Sequence, residues 1–363
     1  MRKVVSVLYL AVLLSLSACN FSANPQADIG TEPAATDSST VEPATAEAVT
    51  AEPTIAPTAS VEHKIRPGEF PKDPNGVVSD QDSSITADEK RAPGGDRFTY
   101  DRFERPFNSQ TMDVYYPYLD IQDGAVYMDD TWVYVMIVLK EEEASRELKG
   151  KYGFEIDADL DGGGDWLILA SNPVSPDWTT DGVEAWFDAN NDVGEEAPVV
   201  ADEHPAGDDG YEVQKFGDGI GDDPDMTWVR VSPDKPNIVN FAIKKEAIKK
   251  DYLDNGLSFL VGLWAGGEDL DPSHFDLNDH FTHEQAGAAL TELDIFYPIK
   301  EISELDNTCR MAVGFQSTGK EPGVCPPPPP PNAPEEYVDP GCMGTLVCRQ
   351  STIPGAPPTC VCR

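Results

Sequence analysis

Eight consecutive apolar residues, Trp132-Val133-Tyr134-Val135-Met136-Ile137-Val138-Leu139, constrain this chain more than any other feature. Most are β-branched or aromatic, and the run is bounded by Asp129-Asp130 before it and Glu141-Glu142-Glu143 after it. Such a run has no face to offer water, so it reads as a strand buried on both faces. Shorter runs of the same kind recur at 152–156, 166–170, 183–187, 227–231, 238–243 and 257–264, separated by turn residues. Only 244–253 has helical composition, and Asn255-Gly256 would end it. Many short strands with few helices predict a mostly β fold, an antiparallel β-sandwich of jelly-roll type with one or two short helices. The expected domain spans 96–305.

The flanks differ in character. Residues 19–95 are rich in Ala, Thr, Pro, Glu and Ser and nearly free of aromatics, which predicts a disordered tether reaching roughly 50 Å. Residues 306–363 form a Cys/Pro-rich tail, in which six prolines from Pro326 to Pro331 make a semi-rigid spacer. At the start, Arg2 and Lys3 precede an apolar stretch too short to span a bilayer, as in an export signal over residues 1–18. Leu16-Ser17-Ala18-Cys19 resembles the lipobox of bacterial lipoproteins. The resemblance implies cleavage before Cys19, lipidation of that cysteine, and display on the outer face of a membrane. The other cysteines, Cys309, Cys325, Cys342, Cys348, Cys360 and Cys362, form an even set and predict disulfides. Zinc is the rival reading, but the spacings are irregular and no histidine follows His283.

Lys+Arg 26 against Asp+Glu 65 gives a net charge of -39. A field of that sign repels nucleic acid and anionic head groups, which leaves cations and neutral ligands as partners. The acids are concentrated in glycine-rich turns. In Asp157-Ala158-Asp159-Leu160-Asp161-Gly162-Gly163-Gly164-Asp165, carboxylates at alternate positions, a glycine at the sixth and an acid at the ninth match the first part of a calcium loop. Ile168 stands where a helix-loop-helix site carries its bidentate Glu, so the expectation is a calcium-binding β-hairpin loop. Asp188, Asn190 and Asp192 repeat the pattern loosely, and Asp218, Asp222, Asp223 and Asp225 crowd a further glycine-rich stretch. Two like charges about 4 Å apart repel by roughly 4 kcal/mol at an effective dielectric near 20. Crowding of this kind calls for a cation, Ca2+ on this chemistry, unless the loops splay into water.

His274, His280 and His283 among Asp276 and Asp279 read as a solvated loop rather than a transition-metal site. Of six tryptophans, most lie in apolar strand patterns; Trp178, with Tyr211 behind it, is the candidate for an exposed ligand-binding aromatic. No nucleophile elbow, P-loop or dinucleotide fingerprint is present, so a non-enzyme is expected.

The order of Trp132-Val133-Tyr134-Val135, Gly182-Val183-Glu184-Ala185-Trp186-Phe187-Asp188, Gly210-Tyr211-Glu212-Val213 and Asn240-Phe241-Ala242-Ile243-Lys244 resembles DOMON domains and family nine carbohydrate-binding modules. That resemblance implies a ligand-binding β-sandwich, often for sugars and with calcium in some members. The expected function is a surface-anchored, calcium-binding recognition module for carbohydrate or another envelope component. A secreted hydrolase with an acidic active site and a structural envelope lipoprotein are the alternatives.

Overall fold

The computed structural model describes residues 61–84, 103–108, 114–142, 147–191, 210–249, 257–275, 304–325, 346–349 and 359–362, with the single residues 87, 145, 193 and 353. They form two facing antiparallel sheets. The first has the order β1 (Gly76–Ser79), β3 (Ile121–Met128), β4 (Trp132–Leu139), β11 (Ile238–Lys244) and β10 (Thr227–Val231). The second runs β2 (Glu104–Arg105), β13 (Leu305–Asn307), β12 (Phe259–Gly266), β5 (Lys151–Asp157), β6 (Trp166–Ser171), β7 (Val183–Phe187), β8 (Val213–Gly217) and β9 (Ile220–Gly221). The short β14 (Met311–Val313) pairs with β12 as well. A separate hairpin joins β15 (Leu346–Arg349) to β16 (Thr359–Cys362).

The core lies between the sheets. Val133, Val135 and Ile137 of β4 and Val239, Phe241 and Ile243 of β11 meet Phe154, Ile156, Ile168, Val261 and Leu263 from the larger sheet. Period-two alternation sends the other residues of each strand outward, and both outer faces are covered too. On the smaller sheet, Tyr127, Tyr134 and Trp228 are buried with Trp178, Ile353 and the partly buried Phe70. On the larger sheet, Leu167, Leu169 and Trp264 pack with Tyr211, Leu270 and Phe275 from loops. Burial of β4 on both faces, as its unbroken apolar run predicts, follows from this double covering.

The predicted strands 132–139, 183–187 and 227–231 coincide with β4, β7 and β10, and the helix appears as α1 (Lys245–Lys249). The boundaries of the folded region differ from expectation. Residues 61–79, expected in the tether, are part of the sandwich, because β1 adds to the edge of β3 and Phe70 packs against Tyr127 and Tyr134. A composition too poor to make its own core can still add one strand to a sheet that supplies the partner. At the other end β13 and β14 carry the sheet beyond residue 305, and a Cys309–Cys325 disulfide closes the loop that contains β14. Cys342 lies outside the described residues, while Cys348 and Cys360 stand opposite each other in the β15–β16 register.

Candidate functional site

The acidic loop is the β5–β6 connection. Tyr152, Phe154 and Ile156 of β5 face the inter-sheet core, so the alternate residues Glu155 and Asp157 stand on the outer face, where both are buried. One carboxylate oxygen from each of Asp157, Asp159 and Asp165 lies within 4.8 Å of the others. Oxygens this close can share one ion at about 2.4 Å, the calcium–oxygen distance.

Local bonds hold the loop in that shape. Asp157 Oδ1 accepts from the Leu160 amide at 2.6 Å and Oδ2 from the Gly162 amide at 3.2 Å, while Asp165 Oδ2 accepts from the Ala158 amide at 2.5 Å. Gly162 has φ of 107°, a conformation that side chains rarely adopt. A Cβ on Gly164 would lie 1.9 Å from the Tyr211 hydroxyl and 2.6 Å from Glu155 Cδ, so only glycine fits beneath them. Asp161 stands outside the converging trio. Its carboxylate instead accepts from the Gly163 amide at 2.8 Å and from Asn191 Nδ2 at 3.3 Å, which ties the loop to its neighbour.

Among the described residues, one basic side chain reaches this place. Arg310 Nη2 donates to Glu155 Oε1 at 2.7 Å and Nη1 to the Gly162 carbonyl at 2.7 Å, with Asp157 Oδ2 3.9 Å away. Burial nevertheless pushes the Asp157 carboxyl up to about 7, since Asp161 and Asp159 add to the effect and Arg310 and the Leu160 amide only partly oppose it. Burial and then Asp161 also raise Asp159. Tyr211, buried on all sides, keeps a hydroxyl without a hydrogen-bond partner beside these acids. Burial followed by Glu155 drives its ionisation well upward.

The other acidic stretches are used differently. Asp188 caps its own turn, with Oδ1 accepting from the amides of Asn190 and Asn191 and Oδ2 from that of Val193 at 3.0 Å. Its amide donates to the Asp165 carbonyl at 3.1 Å, so this turn abuts the first loop. Asp192 lies outside the described residues. Asp218 accepts from the Gly182 amide at 2.6 Å, and Asp223 forms a two-oxygen pair with Lys244 at 2.8 and 2.6 Å. Asp225 Oδ1 meets His63 Nδ1 at 2.9 Å, and its Oδ2 accepts from the amides of Lys64 and Ile65 at 2.9 and 3.1 Å. Asp218, Asp222, Asp223 and Asp225 therefore form no converging set among the described residues; at least three of them hold the fold together instead.

The two aromatic candidates are also corrected. Trp178 is 9% exposed: it stacks on Phe70, lies beneath the Arg230 guanidinium, and donates its Nε1 hydrogen to the Gly68 carbonyl at 3.1 Å. The residues expected as tether are what cover it. Tyr211 is equally enclosed, packed edge-on against Phe275.

Two features carry no local sequence signal. A cleft of about 340 Å³ beside α1 is lined by Trp166, Lys215, Asp222, Asp223, Met226 and Glu246. Trp166 is 3% exposed and its indole N–H has no hydrogen-bond partner. The second feature is a buried group of acids, Asp80, Glu104 and Asp306, at the edge of the larger sheet. Nearby, burial pushes the Asp120 carboxyl up to about 8, against hydrogen bonds from Tyr115 and Gln122.

Among the described residues no helix is long and apolar enough to cross a membrane, and Cys19 lies outside them. No family model matches this chain, and comparison with curated proteins and with solved structures finds no match.

Proposed function

We propose that this sandwich is a calcium-stabilised recognition module, displayed at the cell surface through a lipid on Cys19, for carbohydrate or another envelope component. The observation that carries the reading is the convergence of Asp157, Asp159 and Asp165 on one point within a rigid hairpin loop. Three carboxylates of one sign, two of them buried, have Arg310 as the one basic side chain reaching them among the described residues. A divalent ion would remove the repulsion, and all-oxygen donors suit a hard cation such as calcium.

The ligand would seat in the cleft beside α1. Lys215, Asp222, Asp223 and Glu246 line it and offer donors and acceptors for hydroxyl groups, with Met226 as an apolar floor. The resemblance to carbohydrate-binding modules supports this choice of ligand, although the cleft replaces Trp178 and Tyr211 as its location.

Thermal melting of the protein with millimolar calcium and with chelator tests the cation. Calcium at 100 times its dissociation constant adds about 2.7 kcal/mol, so the midpoint should rise by several degrees. An unchanged midpoint would sink the reading. For the ligand, affinity electrophoresis through a panel of polysaccharides should show retardation that Lys215→Ala abolishes while calcium binding persists.

A further inference from the structure

We propose that Asp80, Glu104 and Asp306 form a second divalent-cation site, one that clasps the two ends of the folded region onto the sandwich. The site is separate from the Asp157 loop and does not depend on it. Its three acids come from three distant segments. Asp80 directly follows β1, Glu104 lies in β2, and Asp306 lies in β13. Glu104 and Asp306 are opposite each other in the β2–β13 register, where like charges are destabilising even at a surface. Here they are not at a surface: Asp80 is 4% exposed, and Glu104 and Asp306 are 0% exposed. One carboxylate oxygen of each nevertheless lies within 4.8 Å of the other two, which suits a shared ion at about 2.4 Å from each.

A second, independent observation points to a ligand. Glu104 Oε2 accepts from the Ser83 hydroxyl at 2.9 Å, but Oε1 has no donor although its side chain is wholly enclosed. A buried carboxylate oxygen without a donor costs about 1–3 kcal/mol or more, and proteins rarely leave one so. An ion among the three acids would satisfy it. Each acid is also fixed before any ion arrives: Ser83 holds Glu104, the Ile121 amide donates to Asp306 Oδ2 at 2.6 Å, and the Gln81 amide donates to Asp80 Oδ1 at 3.0 Å. That preorganisation suits a rigid structural site. All donors are oxygens, with no histidine or cysteine among them, which favours calcium over zinc.

Such an ion would act as a rivet. β2 has two residues and β13 has three, so neither is anchored by a long ladder. Holding Asp80 to them would join the strand-adding segment of the smaller sheet to the edge of the larger one.

The test counts calcium bound per full chain by equilibrium dialysis and elemental analysis, using calcium alone as probe. The proteins are the unchanged one, Asp157→Asn, Glu104→Gln and the double variant. Two ions, one, one and none respectively is the expected result. Loss of an ion in Asp157→Asn with none lost in Glu104→Gln overturns this proposal and leaves the loop site standing. The reverse pattern keeps this site and removes the loop. No bound calcium in the unchanged protein overturns both. Should Glu104→Gln fail to fold, hydrogen exchange in Asp157→Asn decides: calcium must slow the amides of 79–84 and 304–307, and no change there overturns the clasp.

Discussion

Arg310 is placed to answer two carboxylates at once. It is 2% exposed, and its guanidinium divides between Glu155, the Gly162 carbonyl and the neighbourhood of Asp157. Replacing it with Met keeps most of the volume but leaves Glu155 buried against its charge. Removing one partner of a buried pair costs about 3–5 kcal/mol. Arg310→Met should therefore lower the unfolding free energy obtained from a urea titration by that amount with little change in slope; a loss below about 1 kcal/mol would mean that the pair is not buried in solution. Asp157→Asn keeps the shape while removing the charge, so it should cut the calcium-induced rise in melting temperature to the part that the Asp80, Glu104 and Asp306 site supplies. A variant that still responds fully to calcium would take the ion away from this loop. The trio was partly legible as residues, since alternate acids and a glycine at the sixth position are a local pattern. Arg310, which lies far along the chain, and Tyr211, whose hydroxyl rests over Gly164, were not legible. No spacing rule links them to the loop; only the β5–β12 pairing and the loop covering do.

At the scale of elements, the segment from 61 to 79 is a strap laid over the smaller sheet. Its first hold is Asp225, which accepts from His63 and from the amides of Lys64 and Ile65. Burial works to raise the Asp225 carboxyl, but those bonds and Lys244 outweigh it and hold it below the ordinary aspartate range. A lowered acid contributes stability that is complete above its unfolded value of about 3.9 and is lost as the pH falls through the lowered folded value. Hydrogen exchange at Lys64 and Ile65 should thus be protected at pH 6 and rise below about pH 4, and Asp225→Asn should show the rise already at pH 6. Equal protection in both proteins at pH 6 would show that the strap is held elsewhere. The unbroken apolar run at β4 was readable because burial on two faces leaves no other composition. β3 was not, because Asp123-Gly124 looks like a hairpin turn. In the fold Asp123 is buried and accepts from the Ser79 hydroxyl, while a Cβ on Gly124 would come within 2.0 Å of Leu263 Cδ1. The same two residue types that turn a chain at a surface here allow close approach between sheets. β1, β2 and β13 escaped notice for another reason: each is too short to carry a period, and pairing alone defines them.

For the whole molecule, a net charge of -39 means that folding gathers mutually repelling groups. Simple salt screens such repulsion over about 10 Å at 0.1 M, so sodium chloride from 0.05 to 0.5 M should raise the melting temperature in chelator. Calcium should act at far lower concentration and saturate, since it fills sites rather than thinning a field. Identical midpoint curves for sodium and calcium at equal ionic strength would argue for screening alone. The buried acids at Asp80, Glu104 and Asp306 add to this collective strain, and no local pattern announced them because three separate segments supply one acid each.

The strap also fixes where a pull on the chain would be felt. Tension arriving from the N-terminal side meets the Asp225 contacts first, then the wedge of Phe70 among Tyr127, Tyr134 and Trp178, and only then the β1–β3 ladder. Small holds in series yield one at a time, so a tug at that end would be absorbed as stepwise peeling while the inter-sheet core stays shut.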